Sequence, residues 1–258
     1  MSIKIFIDRF DTEKILREKS ELLRLLPKYR VEKAQKFKND NAMCESIVAG
    51  RLLVKAVAEC IESGLLKSDS CYKEYEDLEL SAIAILDSKK HSVNDRFIYS
   101  EDTIENNKCN DKLYYNISHS GQYAVVVISD KRVGIDIECK DDKDFIVTKR
   151  MFCEEEISYI GDSQNRFRQI WTIKEAFLKC TGKGISVPLN SFTAQFNETD
   201  KIIDYNFIDN ENDSMTPVIS GEIVSKGYEL SGHRYHFDTF HNKNGYVLTV
   251  CYRREIAL

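Results

Sequence analysis

Two acidic side chains stand two residues apart in the segment Val133 to Glu138, which reads VGIDIE. Strand side chains alternate between faces with a period of two, so Asp136 and Glu138 project from one face, about 7 Å apart. Two neighbouring carboxylates repel each other unless a cation or hydrogen-bond donors lie between them. Mg²⁺ is often held by one or two carboxylates, with phosphate oxygens and waters completing its shell. The pattern indicates a metal site, although a solvated polar face of an edge strand has the same alternation.

A second polar segment, Asn116 to Gly121 (NISHSG), separates two apolar runs. A turn rich in hydroxyl and backbone N–H groups, with one histidine, can hold phosphate oxygens. A tight turn with a satisfied histidine is the alternative interpretation. Ser118 and His119 also raise the idea of a serine nucleophile, but adjacent strand residues point apart and no nucleophile-elbow pattern surrounds them. The pair is therefore a candidate phosphate contact.

The segment Phe167 to Thr181 (FRQIWTIKEAFLKCT) has helical periodicity. Glu175 lies at the edge of its apolar arc, so it is partly desolvated and suited to bind a metal or carry a proton. Lys179 follows Glu175 by four residues, a spacing that is also typical of a surface ion pair. Lys174 falls inside the apolar arc, and we expect its ammonium group either to extend to the surface or to reach an anion.

Four segments occur in order along the chain: Asn116 to Ser120 (NISHS), Gly134 to Glu138 (GIDIE), Trp171 to Lys179 (WTIKEAFLK) and Gly182 to Leu189 (GKGISVPL). Together they resemble the 4′-phosphopantetheinyl transferases. The closer similarity is to the longer, monomeric, surfactin-synthetase-activating type. The clear similarity covers residues 115–192, about a third of the chain.

The resemblance implies transfer of the phosphopantetheine arm of coenzyme A to a serine of an apo acyl or peptidyl carrier protein, with release of 3′,5′-ADP. It implies Mg²⁺ or Mn²⁺ as cofactor and coenzyme A as co-substrate. It gives Glu175 the role of general base, and it places Ser118 and His119 on the 3′-phosphate of coenzyme A. The implied metal ligands are Asp136, Glu138 and Glu175, and the implied catalytic residues are Glu175, Lys179 and His119. Lys179 is also expected near the diphosphate, with Lys174 as a further candidate contact to coenzyme A.

The basic segment Lys28 to Lys38 has two interpretations. A solvated helix face is one. The resemblance implies the other, contacts to the phosphates of coenzyme A, for which Arg30 and Lys33 are the best-placed residues. Lys108 is a further candidate, although the chain has Asn-Lys-Cys where the family has a Gly-Lys-Pro turn. The basic segment could also contact an acidic carrier surface.

The order of strand, helices and strands occurs twice. The resemblance implies an α+β fold of two similar halves related by a pseudo-twofold axis, residues 1–130 (coenzyme A binding) and 131–258 (metal and catalytic residues), with the site in the cleft between them. Apolar periodicity predicts strands near both termini and helices from Thr12 to Leu26 and from Asn41 to Glu62. We also predict strands from Asp77 to Leu86 and from Arg96 to Ser100.

The composition narrows the function classes. A net charge of −5 argues against a general nucleic-acid binder. The longest apolar run, Tyr123 to Ile128, is far too short for a bilayer span, and the first residues do not resemble a secretion signal. Eight scattered cysteines without a CxxC pair favour a reduced, cytoplasmic protein over a zinc or disulfide framework. We expect the histidines at 233, 236 and 241 to lie scattered on strands and not to form a second metal site.

Two other functions remain open from the sequence. The chain could be a catalytically silent module that binds coenzyme A or another nucleotide, although the intact acidic residues argue against this. It could also be a metal-dependent hydrolase of nucleotide diphosphates. The sequence leaves open whether the carrier serves fatty-acid, polyketide or nonribosomal-peptide synthesis.

Overall fold

The computed structural model of the protein describes residues 3–66, 77–87, 103–106, 111–139, 151–184, 187–197, 206–209, 215–227, 230 and 232–254. Helices and strands are mixed along these ranges, which confirms the predicted α+β class. None of the helices within them combines the length and the apolar character that a membrane crossing requires. The predicted strand from Arg96 to Ser100 and the candidate Lys108 lie outside the described residues.

The described strands are β1 (Ile3–Arg9), β2 (Thr103–Asn106), β3 (Asp111–Ser120), β4 (Tyr123–Ser129), β5 (Val133–Glu138), β6 (Phe192–Asn197), β7 (Asn206–Asp209), β8 (Thr216–Ser225), β9 (Arg234–His241) and β10 (Val247–Arg254). The described α-helices are α1 (Thr12–Arg24), α2 (Lys28–Gln35), α3 (Asp40–Glu62), α4 (Leu78–Asp87), α5 (Glu154–Ile160) and α6 (Gln164–Thr181). The helices predicted from Thr12, from Asn41 and from Phe167 are thereby confirmed.

The strands form two sheets. The first has the order β2-β3-β4-β1-β7, in which β7 runs parallel to β1 and the other pairs are antiparallel. The second is antiparallel throughout, with the order β5-β10-β9-β8-β6. Within the described residues β5 is therefore an edge strand, paired on one side with β10.

Three apolar layers hold these elements together. The long helix α3 packs on the outer face of the first sheet and contacts α1, α2 and α4. Helix α6 packs on the outer face of the second sheet, across β5 and β10. Between the sheets, Ile3, Ile5 and Ile7 of β1 join a cluster that includes Ile135 and Val250. Strand β4 is buried on both faces, which explains its nearly unbroken apolar sequence.

The prediction of a strand from Asp77 to Leu86 is wrong. The segment is helix α4, which starts where the Asp77 carboxylate accepts a hydrogen bond from Glu79 N at 2.8 Å. Its buried residues Ala82, Ile85 and Leu86 lie on the side that packs against α3. Alanine, leucine and glutamate favour helix, and here that propensity outweighs the partial alternation of apolar residues.

Candidate active site

The two carboxylates of β5 lie on the same face of the strand, as the alternation predicts. Ile135 and Ile137 point into the layer between the sheets, so Asp136 and Glu138 face α6. Asp136 is buried, and Glu138 is partly buried. The arrangement places two acidic groups in a region of low dielectric constant, where their mutual repulsion is strong.

Gly134 allows the helix to approach this strand. A Cβ atom at Gly134 would lie 2.1 Å from Ala176 O and 2.5 Å from Cys180 N, so no larger residue fits under α6. The helix itself begins at Ser163, whose hydroxyl accepts a hydrogen bond from Arg166 N, and it ends at Gly182 in the left-handed conformation. The close crossing brings the helix side chains onto the two carboxylates.

Lys179 is the cation that meets Asp136. Its Nζ lies 2.7 Å from Asp136 Oδ1, 3.0 Å from Ser118 Oγ and 3.1 Å from Ile135 O, so all three N–H donors of the ammonium group have acceptors. The second carboxylate oxygen, Asp136 Oδ2, is buried and has no hydrogen-bond partner in the described part of the chain. A buried carboxylate oxygen without a partner is costly, and a bound cation would satisfy it.

Glu138 is held by two neutral donors. The Trp171 indole N–H donates to Oε1 at 3.1 Å, and the Ser120 hydroxyl donates to Oε2 at 3.3 Å. Burial, and then the charge of Asp136, raise the pKa of Glu138 to about 7, against the opposing effects of Trp171, Lys179 and Ser120. When both carboxylates are ionised they carry one more negative charge than the ammonium group of Lys179, which favours binding of a cation.

The predicted cluster of three acids is not assembled. Among the described residues, no group of three or more His, Cys, Asp and Glu side chains lies close enough together to hold a metal ion. Glu175 is buried on α6, one turn after Trp171 and one turn before Lys179. The structure brings Asp136 and Glu138 together on one face of β5, and Glu175 as the third metal ligand stays a prediction.

Side chains of β3 bind the free edge of β5. The Ile135 N–H donates to Asn116 Oδ1 at 3.1 Å, and the Cys139 N–H donates to Ser120 Oγ at 3.0 Å. Ser118 lies between them: its Oγ accepts from Ile137 N at 3.4 Å and donates to Asp136 Oδ1 at 2.9 Å. The predicted polar turn from Ser118 is in fact the end of a strand, and the turn starts at Gly121.

The buried Ser118 hydroxyl is fully used by these bonds and by Lys179. A phosphate contact, as predicted for this residue, would require the hydroxyl to leave Asp136. The geometry instead gives Ser118 the role of joining the two sheets at the carboxylate pair.

His119 points to the other face of β3. Its Nδ1 lies 3.1 Å from Glu45 Oε2 on α3, and both side chains are partly exposed. A carboxylate on one ring nitrogen fixes the ring orientation and directs Nε2 away from it. This is consistent with a ligand contact at His119, and it adds Glu45, which the sequence gave no reason to select.

Lys174 does not reach the site. It is fully buried, and its ammonium group bonds Glu156 Oε2 at 2.8 Å, Leu189 O at 2.6 Å and Phe192 O at 2.5 Å. It also lies 4.4 Å from the centre of the Phe192 ring. With its three donors used inside the protein, Lys174 has none for a phosphate, and its prediction as a coenzyme A contact is corrected to a structural role.

The N-terminal candidates differ in accessibility. Arg30 is buried against α3, where Nη2 donates to Ser46 O at 2.8 Å and Nε has no partner. Lys33 is exposed on α2. Arg30 therefore contributes to packing in this structure, whereas Lys33 lies on an accessible surface.

The residues that sequence reasoning missed are Trp171, Ser120 and Asn116, together with Glu45. The signal for Asn116 and Ser120 was present: with Ser118 they follow the same period of two as the carboxylates. Trp171 lies in the apolar arc of α6, and helical periodicity does not show that its indole N–H reaches Glu138.

The second half of the chain matches a known protein family. Residues 132–251 match the 4′-phosphopantetheinyl transferase superfamily. The resemblance predicted from the sequence is thereby confirmed. The match includes both strand carboxylates, Trp171, Glu175 and Lys179, and it excludes Ser118, His119 and the basic segment near the N-terminus.

Individual relatives each match about a third of the chain. The 4′-phosphopantetheinyl transferase gsp of Aneurinibacillus migulanus is 38% identical over 96 residues, which are 35% of this chain and 40% of that protein. The 4′-phosphopantetheinyl transferase psf-1 of Bacillus pumilus is 42% identical over 90 residues, 33% of this chain and 39% of that protein. The 4′-phosphopantetheinyl transferase Sfp of Bacillus subtilis (strain 168) is 32% identical over 94 residues, 34% of this chain and 42% of that protein. The chain thus spans about two fifths of the length of the curated relatives it matches.

Proposed function

We propose that the protein transfers the 4′-phosphopantetheine arm of coenzyme A to a serine hydroxyl of an apo acyl or peptidyl carrier protein and releases 3′,5′-ADP. The observation that carries the proposal is the buried carboxylate pair on β5. Asp136 is bonded to Lys179 and has one oxygen without a partner, and Glu138 has a raised pKa. Such a site is suited to a diphosphate bound with a divalent cation.

The reaction forms a bond between the serine oxygen of the carrier and the β-phosphorus of coenzyme A. The bond from that phosphorus to the bridging oxygen breaks, and 3′,5′-ADP leaves with the bond electrons. Mg²⁺ or Mn²⁺, held by Asp136 and Glu138, would neutralise charge on the phosphoryl oxygens. Lys179, one turn from Glu175 on the same helix, places a fixed positive charge beside the leaving diphosphate.

The serine proton needs an acceptor, and we assign this role to Glu175, directly or through a water. It is buried on α6 on the same helix as Lys179. A carboxylate held within hydrogen-bond reach of the serine hydroxyl, or joined to it by one water, can accept its proton in the transition state.

Coenzyme A would also contact residues of the N-terminal half. We propose that His119, oriented by Glu45, contacts the 3′-phosphate. Ser118 would contact the same phosphate after its hydroxyl group exchanges the hydrogen bond to Asp136 for one to the phosphate. Lys33 would contact a phosphate from the exposed face of α2, and Arg30 and Lys108 are the remaining candidates. Their contribution is separable from chemistry, because it should change the KM for coenzyme A more than kcat.

We further propose that the molecule consists of two related α+β halves, residues 1–130 and 131–258, packed about a pseudo-twofold axis. In support, each sheet carries one long helix on its outer face, α3 on the first and α6 on the second. The strand β7 is an exception to this division, because it comes from the second half of the chain and pairs with β1.

We also propose that the protein acts as a cytoplasmic monomer without nucleic-acid or membrane partners. The cysteines at 44, 60, 139, 153, 180 and 251 are free thiols, which agrees with a reducing compartment.

The test is incubation with coenzyme A, Mg²⁺ and a panel of apo carrier proteins, followed by mass measurement of each carrier. Gain of the phosphopantetheine mass supports the transferase. Asp136→Asn and Glu175→Gln should each abolish turnover without loss of the fold. Binding of coenzyme A without transfer to any carrier would favour a silent binding module, and release of free phosphopantetheine without a carrier would favour a diphosphate hydrolase.

A further inference from the structure

One charged side chain of α6, Arg168, has few partners among the described residues. Arg168 is only 8% exposed, and its buried Nε and Nη1 atoms form no hydrogen bond. The one hydrogen bond of the guanidinium is a long one, from Nη2 to Asn165 Oδ1 at 3.4 Å. Arg168 takes part in none of the ion pairs formed among the described residues.

A buried guanidinium without a counter-charge is unusual. Isolated charges are costly to bury, and buried donors that lack acceptors need an explanation such as a bound ion. Lys174 on the same helix is the contrast, because it is even more deeply buried but bonds Glu156 and two backbone carbonyls. Among the described residues, all three donors of the Lys174 ammonium group therefore have acceptors, whereas Nε and Nη1 of Arg168 have none.

Gln169, which follows Arg168 on α6, links the side chains of Tyr159 and His241. Tyr159 donates its hydroxyl proton to Gln169 Oε1 at 2.7 Å, and Gln169 Nε2 lies 3.2 Å from His241 Nε2. An amide NH₂ group only donates, so His241 Nε2 accepts and the ring carries its proton on Nδ1. Burial, and then Arg168, lower the pKa of His241, in agreement with a neutral ring. His241 Nδ1–H is thus a further donor without a protein acceptor in the described residues.

These groups lie at one end of the carboxylate pair. Glu138 pairs with Val247 across the sheet, and Val247 pairs with His241, so the three side chains project from one face, toward α6. Arg168 precedes Trp171, the partner of Glu138, by three residues and so lies nearly one helical turn before it.

We propose that Arg168 and His241 form an oxyanion-binding site that takes a phosphate or carboxylate group through Nε–H, Nη1–H and Nδ1–H. Eleven residues separate Arg168 from Lys179, which is about 16 Å along the helix axis, so the site is distinct from the one at Asp136. The assignment does not depend on the proposed transferase activity, since phosphate itself serves as the probe. In a transferase the oxyanion would come from a phosphoryl group of the donor or from an acidic side chain of the acceptor.

The test is calorimetric titration of the full-length protein with inorganic phosphate. Arg168→Met keeps the volume and removes the donors, and about tenfold or greater loss of phosphate affinity is expected because two charge-assisted hydrogen bonds disappear. Arg166→Met is the matched control: this exposed neighbour bonds Tyr159 O at 3.1 Å, and its loss should leave the affinity unchanged. Arg168→Lys, which keeps the charge without the fork, should bind phosphate with intermediate affinity.

Equal phosphate affinity in the wild-type protein and Arg168→Met would overturn the site. The same titration of Lys179→Ala separates the two positions, because phosphate binding that depends on Lys179 and not on Arg168 also contradicts the proposal. The molecule that supplies the oxyanion is then identified from the steady-state kinetics of Arg168→Met. A raised KM for coenzyme A assigns the site to the donor, and a raised KM for the carrier assigns it to an acceptor carboxylate.

Discussion

Replacing Glu138 with glutamine should make the protein more stable at neutral pH while removing its proposed activity. The pKa of Glu138 rises from its ordinary value of 4.5 to about 7, first because of burial and then because of Asp136. Each pH unit between these values corresponds to about 1.4 kcal/mol, so the ionised side chain costs on the order of 3 kcal/mol of folding free energy. Glutamine keeps an oxygen acceptor for the Trp171 N–H and has no charge.

The sign of the pH dependence follows from the direction of the shift. Below about pH 4.5 Glu138 is protonated in both the folded and the unfolded chain, and the two proteins should be equally stable. Between this pH and about 7 the unfolded chain releases its proton first, so the wild-type protein loses stability relative to Glu138→Gln. Above pH 7 the difference should be complete and constant.

Urea unfolding followed by circular dichroism at pH 5 and pH 8 measures this difference. Glu155→Gln is the control, because Glu155 is exposed and its hydrogen bond to Lys226 lowers its pKa, so this variant should not gain stability as the pH rises. Millimolar Mg²⁺ should stabilise the wild-type protein more than Glu138→Gln. The reasoning fails if Glu138→Gln is no more stable than the wild-type protein at pH 8, or if its advantage is the same at pH 5.

Three further substitutions test other parts of the site. Gly134→Ala would put a methyl group 2.1 Å from a carbonyl oxygen of α6; we expect loss of soluble, folded protein or a destabilisation of at least about 2 kcal/mol, measured by thermal unfolding. Lys174→Ala should destabilise the protein by about 3–5 kcal/mol, because Glu156 is left buried without its cation. A stable Lys174→Ala variant with a raised KM for coenzyme A would instead show that Lys174 binds coenzyme A. Glu45→Ala should raise the KM for coenzyme A roughly fivefold, because the bond that orients His119 is lost. The KM for 3′-dephospho-coenzyme A should not change. An equal change of KM for both donors would contradict this role of Glu45.

The parts of the site that lie on a single strand or a single helix could be predicted from the periodicity of the sequence. Alternation along GIDIE gives the face of Asp136 and Glu138, and it holds because the isoleucines must reach the apolar layer between the sheets. Helical periodicity likewise predicts α6 and its position at the site. These features depend on local geometry, which a sequence pattern records directly.

The features that could not be predicted depend on contacts between distant segments. The helical pattern places Lys174 in the apolar arc but does not show whether its ammonium group meets a bound anion or Glu156. Its carbonyl acceptors come from residues 189 and 192, in a separate segment of the chain. The same applies to His119, whose partner Glu45 is 74 positions away on α3. Helix α4 was mistaken for a strand because a short apolar run carries both periods, and its packing against α3 decides between them.

The carboxylate site also holds the two sheets together, and this connects its chemistry with its stability. The edge of β5 would leave backbone N–H groups unpaired if Asn116, Ser118 and Ser120 did not accept from them. Two of these side chains also bond the carboxylates, Ser118 to Asp136 and Ser120 to Glu138. A phosphate that draws the Ser118 hydroxyl away from Asp136 must therefore also weaken a contact between the sheets. Ligand binding and the packing of the two sheets are coupled through one hydroxyl group, and a cation on the carboxylate pair would offset the lost bond.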